Sequence, residues 1–234
     1  MADFQRRIDT RLRKALRDYR LIEDGDKILI ALSGGKDSLA LVELLGRRMK
    51  IFKPRFTAEA IHVRMENIDY ESSTEYLEKF CADCGIKLHV VTTSFDASTD
   101  KRSSPCFLCS WNRRKEMFRL AQEQGFNKIA LGHHQDDIIQ TMMMNLLFHG
   151  HFEGMSPKLK LDKMPITIIR PLCLEHEDDL RAMAKEHGYK SQKKICPYDN
   201  DTKRAEMAEL YKKMEAVSPH ARNHIWNALQ KTLK

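Results

Sequence analysis

Lys27-Ile-Leu-Ile-Ala-Leu-Ser-Gly-Gly-Lys-Asp-Ser-Leu-Ala-Leu-Val-Glu-Leu-Leu45 decides how the rest of the chain folds. Lys27 to Leu32 is a short, largely apolar run, the pattern of a strand covered on both faces. Ser38 to Arg47 is rich in Leu and Ala and reads as a helix. Between them, Gly34 and Gly35 let the backbone approach a ligand closely, and a loop that enters a helix N-terminus presents unpaired amides where the helix dipole favours an anion. Lys36 adds a point charge, and Ser33 and Ser38 add hydroxyls. The spacing is neither Gly-x-x-x-x-Gly-Lys nor Gly-x-Gly-x-x-Gly, so the two commonest nucleotide loops are excluded. A plain glycine turn accounts for the glycines but not for the Lys-Asp-Ser ending.

Outward from this stretch, strand-like segments recur at Thr57 to Val63, Leu88 to Thr92, Lys128 to Leu131 and Ile166 to Arg170. Helical patterns lie at Phe4 to Tyr19, Ser73 to Cys84, Asn112 to Gln124 and Asp137 to Phe148. Five strands separated by helices predict a doubly wound α/β fold, a mostly parallel five-stranded sheet with helices on both faces, Rossmann-like in layout. Ligands in such sheets collect at the carboxyl ends of the strands. Residues 1–20 form a basic helix, 21–195 the catalytic domain and 196–234 a helical C-terminal segment packed on it. Cys196 to Arg204 is polar and turn-rich, and two short helices follow, with Ser218-Pro219 as N-cap and first-turn proline of the last.

The chain has 234 residues, 42% of them hydrophobic and 31% charged, the balance of a globular protein. No apolar run approaches the ~20 residues that cross a bilayer. Arginines interrupt the first twenty residues, so no signal peptide is read there and a cytoplasmic location is expected. The formal net charge of +7 favours a polyanionic partner. Six cysteines, at 81, 84, 106, 109, 173 and 196, point to metal or thiol chemistry rather than disulfides.

Lys27 to Leu45 resembles the PP-loop of the ATP pyrophosphatase superfamily, whose members adenylate a substrate and release pyrophosphate. Lys128-Ile-Ala-Leu-Gly-His-His-Gln-Asp-Asp137 resembles the strand and turn that face the nucleotide in those enzymes. The resemblance implies ATP held by Ser33, Gly34, Gly35, Lys36, Asp37, Ser38 and Gly132. It also places His62 where relatives contact adenine or ribose, although a strand-end histidine is an equal reading. Paired carboxylates opposite a phosphate loop suit Mg²⁺, so Asp136 or Asp137 is a metal candidate, with a helix N-cap as the other role. Adjacent residues leaving a strand point differently, so only one of His133 and His134 should face the site.

PCFLCSWNRRKEMFRLAQEQGFNKIALGHHQDDIIQTMMMNLL, from Pro105 to Leu147, and SPHARNHIWNAL, from Ser218 to Leu229, resemble the TtcA family of tRNA 2-thiocytidine synthetases. That resemblance implies ATP-dependent tRNA thiolation. The C2 oxygen of a pyrimidine, cytidine in the anticodon loop, is adenylated, and Lys36, Asp37, Asp136, Cys106 and Cys109 carry the chemistry. It further implies a 4Fe-4S cluster on Cys106, Cys109 and Cys196, with one iron open to sulfide supplied by a cysteine desulfurase or another donor. In Cys196-Pro-Tyr-Asp199, Asp199 stands where the family has a second cysteine.

Other readings remain open at this level. A lysidine-type ligase or a thiolase of another base would share the PP-loop. Cys81 and Cys84 with Cys106 and Cys109 give C-x2-C-x21-C-x2-C, a zinc-like spacing that would suit a zinc-stapled RNA-binding protein, whereas packing on a helix face with Tyr76, Leu77 and Phe80 explains at least one of the first pair. Cys173 and Met142 to Met144 read as core. Arg113 and Arg114 stand where they would meet phosphate, and the N-terminal helix would either grip RNA or pack a second subunit as in a homodimer.

Overall fold

The computed structural model describes residues 3–66, 68–70, 73–95, 105–192, 194–195 and 202–232. Its elements, in chain order, are α1 (Asp3–Asp18), β1 (Lys27–Ala31), α2 (Lys36–Met49), β2 (Thr57–Met65), β3 (Asp69–Tyr70), α3 (Glu75–Asp83), β4 (Lys87–Thr93), α4 (Pro105–Glu123), β5 (Lys128–Ala130), α5 (Gln135–His149), β6 (Lys158–Lys160), β7 (Thr167–Ile169), α6 (Glu177–Glu186), β8 (Lys194–Ile195), α7 (Thr202–Val217) and α8 (Ala221–Thr232).

Ile28, Leu29 and Ile30 are fully buried, and β1 accordingly takes an interior position in the sheet, whose order is β4-β2-β1-β5-β7-β6. Side chains alternate across a strand. Ile28 and Ile30 therefore join the larger core with α1, α2, α3, α5 and α6, while Leu29 faces Met117, Leu120 and Ala121 of α4. Helices cover both faces, as the apolar runs predict. Every pairing from β4 to β7 is parallel, and these are the five expected strands.

A sixth strand, β6, pairs antiparallel with β7 at the edge. Its three residues, Lys-Leu-Lys, carry no apolar run, and lysines are what a solvent-facing edge uses to discourage further pairing. The sheet is thus six-stranded rather than five-stranded. β3 and β8 form a separate antiparallel pair of two residues each, in which Asp69 opposes Ile195 and Tyr70 opposes Lys194.

The helices differ from the sequence reading mainly at their edges. α4 begins at Pro105, seven residues before the expected start, with proline at the first helical position where its missing amide costs nothing. α6 was not anticipated, because only Leu180 and Met183 mark its apolar face. α7 begins at Thr202, inside the stretch read as turns, and Ser218 and Pro219 lie in the turn ahead of α8. Met207 and Tyr211 of α7 and Trp226 and Leu229 of α8 belong to the larger core. α1 buries Ile8, Leu12, Ala15 and Leu16, and its Arg7 and Arg11 each reach an Asp179 oxygen at 2.5 Å. Two cations of the basic helix are therefore engaged in docking it on α6.

Candidate active site

The strand order reverses between β1 and β5. From β1 the chain passes to β2 and β4 on one side, and from β5 to β7 on the other. Such a switch point opens a crevice at the carboxyl ends of the strands. Two loops meet there, residues 32–35 after β1 and 131–134 after β5.

The first loop is folded back on α2 by its own hydroxyls. The Ser38 hydroxyl donates to the Gly35 carbonyl at 2.8 Å and accepts the Gly34 amide at 3.2 Å, and the Ser33 hydroxyl donates to Ser38 Oγ at 3.1 Å. Gly34 has φ +86°, and a Cβ there would lie 2.8 Å from Cβ of Gln192, whose amide donates to the Gly34 carbonyl at 2.9 Å. Gly35 is the N-cap of α2 and supplies no side-chain cap, so the first-turn amides keep the anion preference of a helix start. Lys36 Nζ lies 2.9 Å from Asp37 Oδ2 and 3.3 Å from Glu177 Oε1 at the start of α6.

A cavity of about 300 Å³ opens above the loop, lined by Ser33, Asp37, Gly132, His133, Asp137 and Arg204 among others. Gly132 keeps this approach open: a Cβ would stand 3.2 Å from the backbone of Asp37 and Ser38, tighter than most such contacts. Among the described residues, Asp37 Oδ1 is buried without a hydrogen-bond partner. A buried oxygen left unsatisfied beside a phosphate-type loop fits a divalent cation or its water.

Of the histidine pair, His133 faces this cavity and His134 turns into the start of α5. There His134 forms a capping box with Asp137: its Nδ1 accepts the Asp137 amide at 3.4 Å, and Asp137 Oδ2 accepts the His134 amide at 3.0 Å. Burial, helped by the Arg170 charge, pushes His133 down to about 4, so its imidazole is neutral at physiological pH. Asp136 points the other way. Its Oδ1 pairs with Arg222 of α8 at 2.8 Å and its Oδ2 accepts the Glu177 amide at 2.9 Å. Burial alone would raise this carboxyl, but the Arg222 hydrogen bond and charge outweigh it and hold the group below the ordinary aspartate range.

A second cavity, about 150 Å³, shares Ala31 and Ser33 with the first and runs between β2 and α4, with Ile61, Val63, Arg113, Arg114 and Met117 in its wall. It is apolar on the sheet side and basic on the helix side, a shape suited to a planar base ending in phosphates. His62 is 1% exposed and alternates away from Ile61 and Val63. Its Nδ1 lies 2.7 Å from the Leu32 carbonyl, and burial lowers its pKa.

Cys106 and Cys109 stand in the first turn of α4, inside the helix rather than ahead of it. Cys106 is exposed, and Cys109 packs on the small cluster of Met65, Ile68 and Phe95 beyond the end of β2. Cys196 and Asp199 lie outside the described residues. Ile195, the last described residue before them, opposes Asp69, the residue after Ile68.

The zinc spacing does not survive the geometry. Cys81 is fully buried in the larger core, and among the described residues no three His, Cys, Asp or Glu side chains converge as a metal site. Burial pushes the Cys81 thiol up to about 12 and the Cys84 thiol up to about 11, which disfavours the thiolate a metal needs. Cys173 is fully buried with its thiol likewise raised, and Met142 and Met143 are core.

Residues 3–214 match the model of the PP-loop domain family. The chain is 34% identical over 230 residues to the tRNA-cytidine(32) 2-sulfurtransferase of Burkholderia multivorans, covering 96% of this chain and 69% of that protein. It is 32% identical to the protein of the same name from Shewanella halifaxensis, covering 99% and 76%. The chain belongs to the TtcA branch of the PP-loop family. Among solved structures it resembles the U34-tRNA thiolase NcsA from Methanococcus maripaludis, determined with its 4Fe-4S cluster, at TM-score 0.79 and 29% identity over 98% of this chain and 78% of that one. The fold also matches an NH3-dependent NAD synthetase from Campylobacter jejuni, with TM-score 0.50 and 14% identity over 98% and 95%. No described helix of this PP-loop protein is long and apolar enough to cross a membrane.

Sequence reasoning missed Gln192, Arg204, Glu177 and Arg222 as parts of the site. They come from segments at least 41 residues downstream of the residues they support, and no local spacing announces them. Arg222 alone had a signal, as a member of the quoted Ser218 to Leu229 motif.

Proposed function

We propose that this TtcA-branch protein is an ATP-dependent tRNA thiolase acting in the cytoplasm. It adenylates the C2 oxygen of a pyrimidine, a cytidine of the anticodon loop, and exchanges that oxygen for sulfur, a reading its tRNA-cytidine(32) 2-sulfurtransferase relatives support for the cytidine and the position on the ring. One observation carries the reading. A single helix, α4, bears the thiol pair in its first turn and, one to two turns later, the Arg113, Arg114 and Met117 side chains that wall the cavity beside the phosphate loop. At 1.5 Å per residue, the thiols and the arginines are about 6–12 Å apart along the helix.

The chain's own residues divide the work. The Ser33 to Ser38 loop and Lys36 take the β- and γ-phosphates, and the loop amides stabilise charge that develops as the C2 oxygen attacks the α-phosphorus and pyrophosphate leaves. Asp37 and Asp137 face the cavity and would hold Mg²⁺ on the phosphate oxygens, while Asp136 fixes the start of α5 against α6 and α8 beside them. Adenine would lie over Ile61 and Val63, with His62 beneath. Adenylation turns the C2 oxygen into part of a leaving group. A sulfur nucleophile then adds at C2, and AMP departs with the oxygen.

Cys106 and Cys109 fit a cluster ligand pair, being two thiols one turn apart at a helix N-terminus, one exposed and one against an apolar floor. With Cys196 they would hold a 4Fe-4S cluster, which when bound supplies a coordination position for the incoming sulfur. A cysteine desulfurase is the class of donor this chemistry calls for. A homodimer would place a second copy of the chain beside it.

Mass spectrometry of nucleosides from tRNA treated with the reconstituted protein, ATP and sulfide tests the reading: 2-thiocytidine is expected. Cys196→Ala should abolish thiolation while ATP binding persists. A colourless, iron-free protein with full thiolation activity would overturn the cluster assignment. The likeness to NcsA favours one second reading, thiolation of a uridine, which the same experiment reports as 2-thiouridine.

A further inference from the structure

Phe107 and Trp111 stand one turn apart on α4 with 54% and 57% of their surfaces exposed. Their rings stack on one another, centroids 6.4 Å apart and planes 15° from parallel. Phe107 lies between the two thiols of the first turn, and Trp111 lies two residues beyond Cys109. Neither is part of the core, which takes Met117, Leu120 and Ala121 from further along the helix.

The same helix face continues through Arg114, three residues after Trp111, and Lys115, four after it. Among the described residues no carboxylate stands within 4 Å of either, whereas Arg119, a turn further on, is engaged by Glu116 and Glu123. Arg114 also walls the cavity that reaches Ser33 of the phosphate loop. A planar apolar surface, two cations and the reaction cavity therefore follow one another along a single helix.

A protein partner of an exposed aromatic pair would meet a wider apolar surround, but the neighbours here are Arg113, Arg114 and Lys115 in a chain of net charge +7. The complementary occupant is a polyanion that carries flat apolar faces. Single-stranded RNA has both, and proteins bind it by stacking bases on aromatic rings while cations follow the phosphates.

We propose that Phe107 and Trp111 form a stacking platform for an unpaired anticodon-loop base flanking the one that enters the site, with Arg114 and Lys115 on the adjoining phosphates. This rests on the tRNA thiolase reading and adds how the loop is held open. The aromatic pair positions substrate and does not touch the reacting atoms.

The test uses the cluster-reconstituted full chain and an unmodified tRNA transcript, beside the same transcript with abasic sites flanking the thiolated nucleotide. Stacking on an aromatic ring changes affinity by about 5- to 150-fold per base. The double substitution Phe107→Ala with Trp111→Ala should raise the tRNA Kd and KM at least tenfold, leave the ATP Kd and the cluster absorbance unchanged, and recover with Phe107→Tyr and Trp111→Phe. On abasic tRNA the wild type should weaken to the level of the double variant, which should lose nothing further. Trp226 is buried and Trp111 is the exposed member of the chain's two tryptophans, so tRNA should quench an emission that Trp111→Phe removes.

If the wild type thiolates tRNA and the double variant binds it equally tightly, the platform is wrong and the thiolase reading stands. Should the wild type neither bind nor thiolate tRNA, both fall. A wild-type dimer in sedimentation that the double variant splits into monomers would assign the face to a second copy of the chain and overturn the platform.

Discussion

Arg222→Met should loosen the active site from behind. Arg222 and Asp136 are 15% and 7% exposed at their side chains and meet at 2.8 Å, so neither charge has much water to fall back on. Methionine keeps most of the volume and removes the charge, leaving Asp136 with the Glu177 amide and the His134 ring 3.6 Å away. Breaking a buried pair from one side costs about 3–5 kcal/mol, because the surviving charge is stranded. The remaining amide bond argues for the lower end, about 3 kcal/mol, or about 6–12 °C in Tm for a chain of this size. Chemical denaturation at pH 7 measures it. The pH profile supplies a second readout. Arg222 holds the Asp136 carboxyl below its usual value, so the pair's contribution is present above about pH 4 and is lost as pH falls through the native-state pKa. Without Arg222, burial dominates, and the acid limb should begin at higher pH. Combining Arg222→Met with Asp136→Asn removes the stranded charge and should bring stability back to within about 1.5 kcal/mol of wild type. A single variant that loses under 1 kcal/mol, or a double variant no better than the single, would refute the claim that this pair ties α8 to the start of α5.

Lys36→Ala should leave the circular dichroism and melting unchanged and reduce pyrophosphate release at least about 100-fold, as expected for loss of a charge that acts on the phosphates. Gly132→Ala brings a methyl within 3.2 Å of backbone that no rotamer change can move, so calorimetry should show ATP affinity down about tenfold and stability down about 1–3 kcal/mol. Glu175 is fully buried, Arg11 stops 3.9 Å away, and burial raises the carboxyl to about 9. A raised acid loses stability as pH climbs from the unfolded value near 4.5 toward 9, because the unfolded chain ionises first. Glu175→Gln should therefore be the more stable protein at pH 8, by about 3 kcal/mol, with the gap closing toward pH 5 in urea titrations.

The parallel sheet was legible because a strand buried on both faces must be apolar along its length, as Ile28 to Ile30 are. Where burial is partial, that signal fades. β6 is Lys-Leu-Lys at an edge, and β3 and β8 pair over two residues each, too short for any periodicity. α6 was hidden for a related reason. Three acids fill its first turn, and much of what docks it is ionic, Asp179 against Arg7 and Arg11, which leaves a narrow apolar stripe.

The two halves of the site were legible to different degrees because they are built differently. Phosphate recognition is local: a positive φ at Gly34, a close approach at Gly132 and amides at a helix start all write themselves into residues next to one another. Its support is not local, since Gln192 and Arg222 arrive by folding, and Gln192 brings no motif of its own. The thiol half is dispersed from the outset. Cys106 and Cys109 announce a ligand pair, but the same spacing joined to Cys81 and Cys84 announces zinc equally well, and only the burial of Cys81 in the core separates the two. That asymmetry decides where the residues will be least tolerant of change. Substitutions of the loop glycines should fail through backbone geometry whatever side chain replaces them, whereas the thiol region, resting on the three-residue cluster of Met65, Ile68 and Phe95, should fail only when a ligand or that apolar floor is removed.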